Sequence, residues 1–211
     1  EVPVAQPGPG AVAVILHPNG VEEVVKTSAL TPQGVLLTVS DGAVVTVRDN
    51  SKYFSDVDGH WAKDAISFAS ARELFQASTF APNDLMSRAM LMTVLASLDG
   101  ADTSSGGTWY AGGVEWAVAH GISDGSNPER AITREQLAAM LYRCAGSPRA
   151  DSKTLAFSDA QSVSGYAQEA MCWAVERGLL CGYGNGLLAP KDSATRAEVA
   201  AVLKQYIGLM N

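Results

Sequence analysis

Ser87-Arg88-Ala89-Met90, Thr133-Arg134-Glu135-Gln136 and Thr195-Arg196-Ala197-Glu198 are three copies of one phrase. Each opens an apolar run: Leu91 to Leu98, Leu137 to Tyr142, and Val199 to Ile207. A phrase repeated at this interval marks an array of similar units, each burying its apolar face against a neighbour. Thr195 with Glu198 and Thr133 with Gln136 have the spacing of a capping box, in which hydroxyl and carboxylate or amide satisfy the first free amides of a helix. Ser87 can cap, but Met90 cannot complete the box. The hydroxyls are thereby explained as helix starts. The arginines are not. A cation at the first helical position faces the positive end of the helix dipole and costs about 0.3–1 kcal/mol. Its presence in all three copies implies a counter-charge. The partner is either internal, Asp56 or Asp159 in the phrases Phe54-Ser55-Asp56 and Phe157-Ser158-Asp159, or an external anion bound with the helix amides.

Upstream of each phrase lies an Ala-rich stretch of helical period. Trp61, Ala65, Ile66, Phe68 and Ala69 share one face, as do Val114, Ala117 and Val118, and Ala170, Ala174 and Val175. The pattern predicts three helix–loop–helix repeats over 53–99, 100–150 and 154–211. The first helices start near Trp61, Trp109-Tyr110 and Tyr166. The loops carry Pro and, in two repeats, Gly: Phe80-Ala81-Pro82, Asp124-Gly125-Ser126-Asn127-Pro128, and Gly182-Tyr183-Gly184-Asn185-Gly186 with Pro190. Repeats one and two have the shorter loops. Tryptophans at helical spacing are more often core than site. An exposed aromatic leading a helix beside an arginine, however, suits a sugar ring and its acid group.

The N-terminal quarter reads differently. Residues 1–9 hold three prolines and read as a linker. Ala11 to Leu16 is a β-rich run, followed by the turn signal Asn19-Gly20 and a second run from Val21 to Lys26. Val35 to Val39 and Ala43 to Val47 flank Ser40-Asp41-Gly42, a second hairpin signal. Residues 10–50 are thus expected to form a small antiparallel unit of about four strands.

The formal net charge of −7 argues against nucleic acid, whose binding needs a basic footprint. No apolar run approaches the roughly 20 residues of a membrane span. Glu1 opens an acidic segment without the basic start of a signal peptide, so the numbering is expected to begin inside a longer, exported precursor with an upstream domain. Cys144, Cys172 and Cys181 and the three scattered histidines make no metal pattern. The cysteines read as free thiols, with a Cys172–Cys181 pair as the alternative. No nucleophile–base set appears, so the chain is expected not to be an enzyme and to need no cofactor or metal. Asp56-Val57-Asp58-Gly59 begins like a calcium loop, but Gly falls too early and no Glu closes it.

Phe54-Ser55-Asp56-Val57-Asp58-Gly59-His60-Trp61-Ala62, Ile132-Thr133-Arg134-Glu135 and Ala194-Thr195-Arg196-Ala197-Glu198 resemble the opening and closing phrases of the S-layer homology (SLH) repeat. The resemblance covers about 53–211. It implies a mainly α fold: three repeats in a pseudo-threefold helical bundle with grooves between neighbours, here preceded by the small β unit. It implies an exported, wall-associated surface protein held non-covalently by an anionic secondary cell wall polysaccharide carrying pyruvylated amino sugars, the module itself monomeric. Arg88, Arg134 and Arg196 map to the family's groove arginine, and Trp61 and Asp56 to its opening residues. Trp109, Tyr110, Tyr166, Asp159, Thr133 and Thr195 complete the expected binding set. Repeat one lacks the loop glycines and the final Glu, repeat two lacks the Phe-x-Asp opening, and repeat three has Tyr166 in place of Trp. The short loops make the grooves they line the weakest expected sites. The alternative function is a protein-interaction or array-assembly module that uses the β edges, with arginines that are purely structural.

Overall fold

The computed structural model describes residues 1–104 and 107–211. Six short strands come first: β1 (Val2–Pro3), β2 (Ala11–Leu16), β3 (Glu22–Val24), β4 (Ala29–Thr31), β5 (Gly34–Leu36) and β6 (Val45–Asp49). Helices follow at α1 (Lys63–Ala71), α2 (Arg88–Leu98), α3 (Ala111–Ala119), α4 (Arg134–Cys144), α5 (Gln168–Glu176) and α6 (Arg196–Leu209). The chain divides into two compact units. One holds Glu1–Asn83 and Arg196–Asn211, the other Asp84–Thr195.

In the first unit the strands form two antiparallel three-stranded sheets, β1–β5–β4 and β3–β2–β6. The Asn19-Gly20 turn joins β2 to β3, with Val14 opposite Val24 and Gly20 at φ +81°. The hairpin expected through Ser40-Asp41-Gly42 does not form. β5 pairs with β4 and β1, and β6 pairs with β2. The competing turn is Thr31 to Gly34, where the Thr31 hydroxyl accepts from the amides of Gln33 and Gly34 at 3.1 and 3.0 Å. The segment expected to be a linker also contributes a strand, Val2–Pro3. It passes so close to Gly34 that a Cβ there would sit 2.1 Å from the Val2 carbonyl oxygen.

β2 is buried on both faces, which is why it reads as an unbroken apolar run rather than an alternation. Ala11 and Ala13 join Val25 and Val35 in one cluster, while Val12 and Val14 pack with Ala71 at the end of α1. The β unit is therefore part of the same core as repeat one's first helix. Arg72, the next residue, is fully buried. Its Nε donates to the Ser28 carbonyl at 2.6 Å, Nη1 to Phe68 at 3.1 Å and Nη2 to Ala11 at 3.2 Å, with the guanidinium 3.5 Å over the Phe68 ring centroid. Asn50 Nδ2 donates to the Ala71 carbonyl at 2.6 Å. Asn211 Nδ2 donates to Thr27 at 2.8 Å.

In the second unit α2 packs against α3, and α4 against α5. The Ser87 hydroxyl accepts from the Met90 amide at 3.1 Å. Thr133 and Gln136 form the full capping box, Gln136 N to Thr133 Oγ1 at 3.3 Å and Thr133 N to Gln136 Oε1 at 3.1 Å. The three cysteines are free thiols, with Cys172 buried and Cys181 exposed. Among the described residues no helix is long and apolar enough to cross a membrane.

Replacing Arg72 by Met removes the donors that the Ser28 and Ala11 carbonyls rely on. We expect Arg72→Met to lower the free energy of unfolding by about 2–4 kcal/mol. Urea denaturation followed by circular dichroism reads this, and wild-type stability would show that the β unit is not clamped through this side chain.

Candidate functional site

The three helix-opening arginines share one arrangement. Arg88 Nε donates to the Ser126 carbonyl at 2.9 Å, Arg134 Nε to Leu188 at 3.0 Å and Arg196 Nε to Phe80 at 2.7 Å. Each acceptor lies two residues before a loop proline: Pro128, Pro190 and Pro82. That proline's own carbonyl accepts from the amide just after the arginine: Ala89 at 2.7 Å, Glu135 at 3.0 Å and Ala197 at 3.0 Å. The residue between acceptor and proline adopts a left-handed backbone, Asn127 at φ +47°, Ala189 at +51° and Ala81 at +52°. That conformation is uncommon for a residue with a side chain and needs support. It turns the preceding carbonyl toward the guanidinium and the proline carbonyl toward the helix start.

The support comes from aspartates. Asp56 Oδ1 and Oδ2 accept from the amides of Phe80 (3.2 Å) and Ala81 (2.6 Å). Asp159 Oδ1 and Oδ2 accept from Leu188 (2.9 Å) and Ala189 (2.8 Å). Asp56 and Asp159 thus hold the loops that hold the arginines, and Arg196 and Arg134 act electrostatically on them. The loop amides, Ala81 foremost for Asp56 and Leu188 for Asp159, hold both carboxyls below the ordinary range. Repeat two lacks the Phe-x-Asp opening; among the described residues Asp102 accepts from the Ser104 amide at 2.8 Å. Asp124, inside the loop, replaces it. Its Oδ1 accepts from the Ser126 amide at 3.0 Å and from Arg88 Nη2 at 3.0 Å. Asp58, two residues on from Asp56, accepts from Lys63 Nζ at 2.7 Å and from the Tyr53 hydroxyl at 3.0 Å. Among the described residues no group of three or more His, Cys, Asp or Glu could hold a metal.

Arg88 and Arg134 are nearly buried, at 8% and 5% exposure. Arg134 Nη2 also donates to the Cys181 carbonyl at 2.6 Å, and its guanidinium lies 4.7 Å from the Tyr183 ring centroid. Arg196 lies 5.1 and 5.5 Å from the Phe80 and Phe75 centroids. The helix-leading aromatics separate from the other tryptophans. Trp61, Trp109 and Tyr166 each stand two residues before their helix and are 68, 59 and 55% exposed, whereas Trp173 is buried against Tyr142. Trp109 is therefore the counterpart of Trp61, and Tyr110 packs edge-on against it at 5.2 Å.

A groove of about 630 Å³ runs along α4 in the second unit. Its lining includes Arg88, Asp124, Arg130, Arg143, Tyr166 and Lys191, with Thr133 and Gln136 at the start of α4. The groove borders repeat two's short loop. Asp124 draws that loop onto Arg88 and leaves the face of α4 open. Arg143 Nη1 donates to the Ile122 carbonyl at 2.9 Å. At the other end Glu135 is almost fully buried and accepts from Lys191 Nζ at 2.6 Å, the Ser164 amide at 2.9 Å, the Ser164 hydroxyl at 3.0 Å and the Tyr166 hydroxyl at 3.3 Å. Burial pushes the Glu135 carboxyl up, but Lys191 and the two Ser164 donors outweigh it and hold the group below its usual value. Burial, with Glu135 beside it, pushes the Tyr166 phenol up to about 12. Sequence reading passed over Asp124, Arg130, Glu135, Arg143 and Lys191. The visible signal was Glu135, which stands where the other two copies have Ala.

Three helix–loop–helix repeats, each with a helix-initial arginine clamped by a proline loop, define a modular repeat domain. The S-layer homology domain model matches residues 53–89, 101–138 and 156–200, and the chain belongs to that family. It carries repeats of the kind found in cell-surface anchoring modules. An amylopullulanase of Thermoanaerobacterium thermosulfurigenes is 33% identical over 174 residues, 72% of this chain and 9% of that protein. The exoglucanase XynX of Acetivibrio thermocellus is 29% identical over 178 residues, 74% of this chain and 16% of its own length. An endoglucanase of Bacillus sp. (strain KSM-635) is 28% identical over 184 residues, 76% and 19% respectively. The chain spans less than a fifth of the length of each of these relatives.

Two outcomes follow from the clamp. A carboxyl whose folded-state pKa is depressed stabilises the fold above its unfolded pKa, about 4, and loses that contribution as pH falls through the lower, folded value. The amide protons of Leu188 and Ala189 should therefore keep their neutral-pH NMR shifts through pH 4 and move only below it; a midpoint at or above 4 would contradict the loop-holding role of Asp159. Arg134→Lys keeps the charge but loses the planar fork that spans two carbonyls. It should cost about 1–3 kcal/mol in urea denaturation, while the exposed Arg130→Gln stays within about 0.5 kcal/mol.

Proposed function

We propose that this module anchors an exported protein to the cell wall without a covalent bond, by holding an anionic secondary cell wall polysaccharide in the groove along α4. The observation that carries this reading is the lining. Four cationic side chains, Arg88, Arg130, Arg143 and Lys191, surround a groove with an exposed tyrosine on its wall. In a chain of net charge −7 such a concentration of positive charge is local, so attraction of an anionic polymer must act at the groove. A pyruvate ketal on an amino sugar fits this lining: its carboxylate suits the cations, and the sugar's apolar face suits the Tyr166 ring. Catalysis has no part in the proposal; any activity of the full protein lies outside this module. The relatives' names, a pullulanase and two glucanases, describe those whole proteins. By analogy we propose that the module tethers an enzyme or another displayed domain.

A second reading has an observation of its own. Arg88 and Arg134 direct Nε and Nη2 at loop groups, so they act as structural clamps. In that case the module assembles with protein partners.

Co-sedimentation with cell wall sacculi of an SLH-bearing host, before and after chemical removal of the secondary polymer, separates the two. Under the anchoring reading the wild-type chain pellets only with polymer-bearing walls, and Arg130→Gln weakens pelleting about fivefold without changing the unfolding midpoint. Wild-type protein that stays in the supernatant with intact walls would overturn the reading.

A further inference from the structure

The first helix of every repeat closes through the same turn. The amides of Glu73, Gly121 and Gly178 donate to the carbonyls of Ser70, Val118 and Val175 at 3.0, 3.1 and 3.0 Å. The next amides, Leu74, Ile122 and Leu179, donate to Ala69, Ala117 and Ala174 at 3.2, 2.8 and 2.8 Å. The left-handed residue in this turn is glycine in repeats two and three, at φ +68° in both, but Glu73 in repeat one, at +60°. A side chain is disfavoured there, where glycine is not. Three positions earlier repeat one departs again, with Ser70 where the others have Val118 and Val175. Ser70 is fully buried, and its hydroxyl has no hydrogen-bond partner among the described residues. Both choices weaken the fold locally, and both residues line one cavity.

That cavity holds about 550 Å³, the size of a small-ligand site, and lies wholly in the first unit, between the end of α1 and the segment that follows β6. Phe54 and Phe75 give it an apolar wall; both are nearly buried and pack on Phe80 at ring-centroid distances of 5.7 and 5.0 Å. Lys52 and Glu73 bring one charge of each sign. Both are exposed, and neither joins an ion pair among the described residues; Lys52 Nζ donates to Asn50 Oδ1 at 2.8 Å. We propose that this cavity binds a small zwitterion, an amino acid or the end of a short peptide. Its ammonium meets Glu73, its carboxylate meets Lys52 and the Ser70 hydroxyl, and its apolar body lies on Phe54 and Phe75. A simple anion would be opposed by Glu73 and a simple cation by Lys52, and a purely apolar ligand would leave the Ser70 hydroxyl without a partner. The cavity shares no residue with the α4 groove, so the assignment stands apart from the anchoring reading.

The test is isothermal titration of the whole chain with L-leucyl-L-leucine, its N-acetyl and C-terminal amide forms, free L-leucine and N-acetylglucosamine. The zwitterionic dipeptide or free leucine should bind, and the tighter of the two tells a chain end from a single amino acid. Acetylating the amine or amidating the carboxylate of the dipeptide should each weaken binding at least tenfold. Glu73→Gly, which restores the residue of the other two repeats, should lower affinity at least tenfold while raising the urea midpoint. Ser70→Ala should lower affinity about fivefold with the midpoint unchanged or raised. Stability and binding moving in opposite directions is the signature that a purely structural role would not give. The proposal is overturned if neither zwitterion gives heat up to about 10 mM, or if the blocked dipeptides bind as well as the free one. Preferential binding of N-acetylglucosamine would overturn it too, as would a Glu73→Gly chain that binds like the wild type.

Discussion

The structure depends on one repeated interaction, a guanidinium Nε–H donating to a carbonyl two residues before a proline. The interaction answers two needs together. The arginine stands at a helix start, where its charge is unfavourable to the dipole, and the loop carbonyl gives that charge a partner. The loop backbone is bent into a left-handed residue at Ala81, Asn127 or Ala189, and the clamp with its aspartate holds the bend. Helix start and loop each carry a local defect, and each satisfies the other.

The partners come from different repeats. Arg88 of repeat one is held by repeat two's loop, Arg134 of repeat two by repeat three's loop, and Arg196 of repeat three by repeat one's loop. No repeat closes its own clamp. A single helix–loop–helix would leave an arginine without its carbonyl and a loop without its guanidinium, beyond the apolar face it could not bury. This is the physical content of the rule that repeat modules are stable only in company. It also shows how the loops can vary in length, since the clamp fixes only the three residues that end in proline.

The repeat architecture was legible because its signals are local. Hydroxyl caps, helical period and the thrice-repeated arginine lie in the sequence itself, and the helices at Arg88, Arg134 and Arg196 begin at the phrase that announced them. The β unit was less legible. Asn19-Gly20 marked its turn correctly, but Thr31 to Gly34 turns through a side-chain hydroxyl that no Gly-rich dipeptide advertises, and it captured β5 from the expected hairpin. The aspartates showed the opposite failure. Asp56 and Asp159 were recognised as partners of the arginines, yet the connection runs through two backbone amides apiece, a relation between a side chain and a distant loop that spacing cannot display. The α4 groove was hidden for a similar reason. Its cations are scattered at 88, 130, 143 and 191, and only the packing of the helices brings them to one channel.

The division of labour between conserved geometry and variable charge follows from burial. At 8% and 5% exposure, Arg88 and Arg134 have little surface left for a ligand beyond the groups they already hold. Arg130, Arg143 and Lys191 are exposed, sit outside the repeated phrase and are free to differ between repeats without disturbing the clamp. Lys191 occupies the place held by Glu129 and Asn83 in the other two repeats, each directly after its loop proline. One position thus presents a cation, an anion and an amide on the same scaffold. Three loops built alike can in this way face three different chemistries. On the proposed anchoring reading the groove with the cation takes the acidic saccharide, and multivalency along a polymer would then depend on how many of the other loops tolerate it.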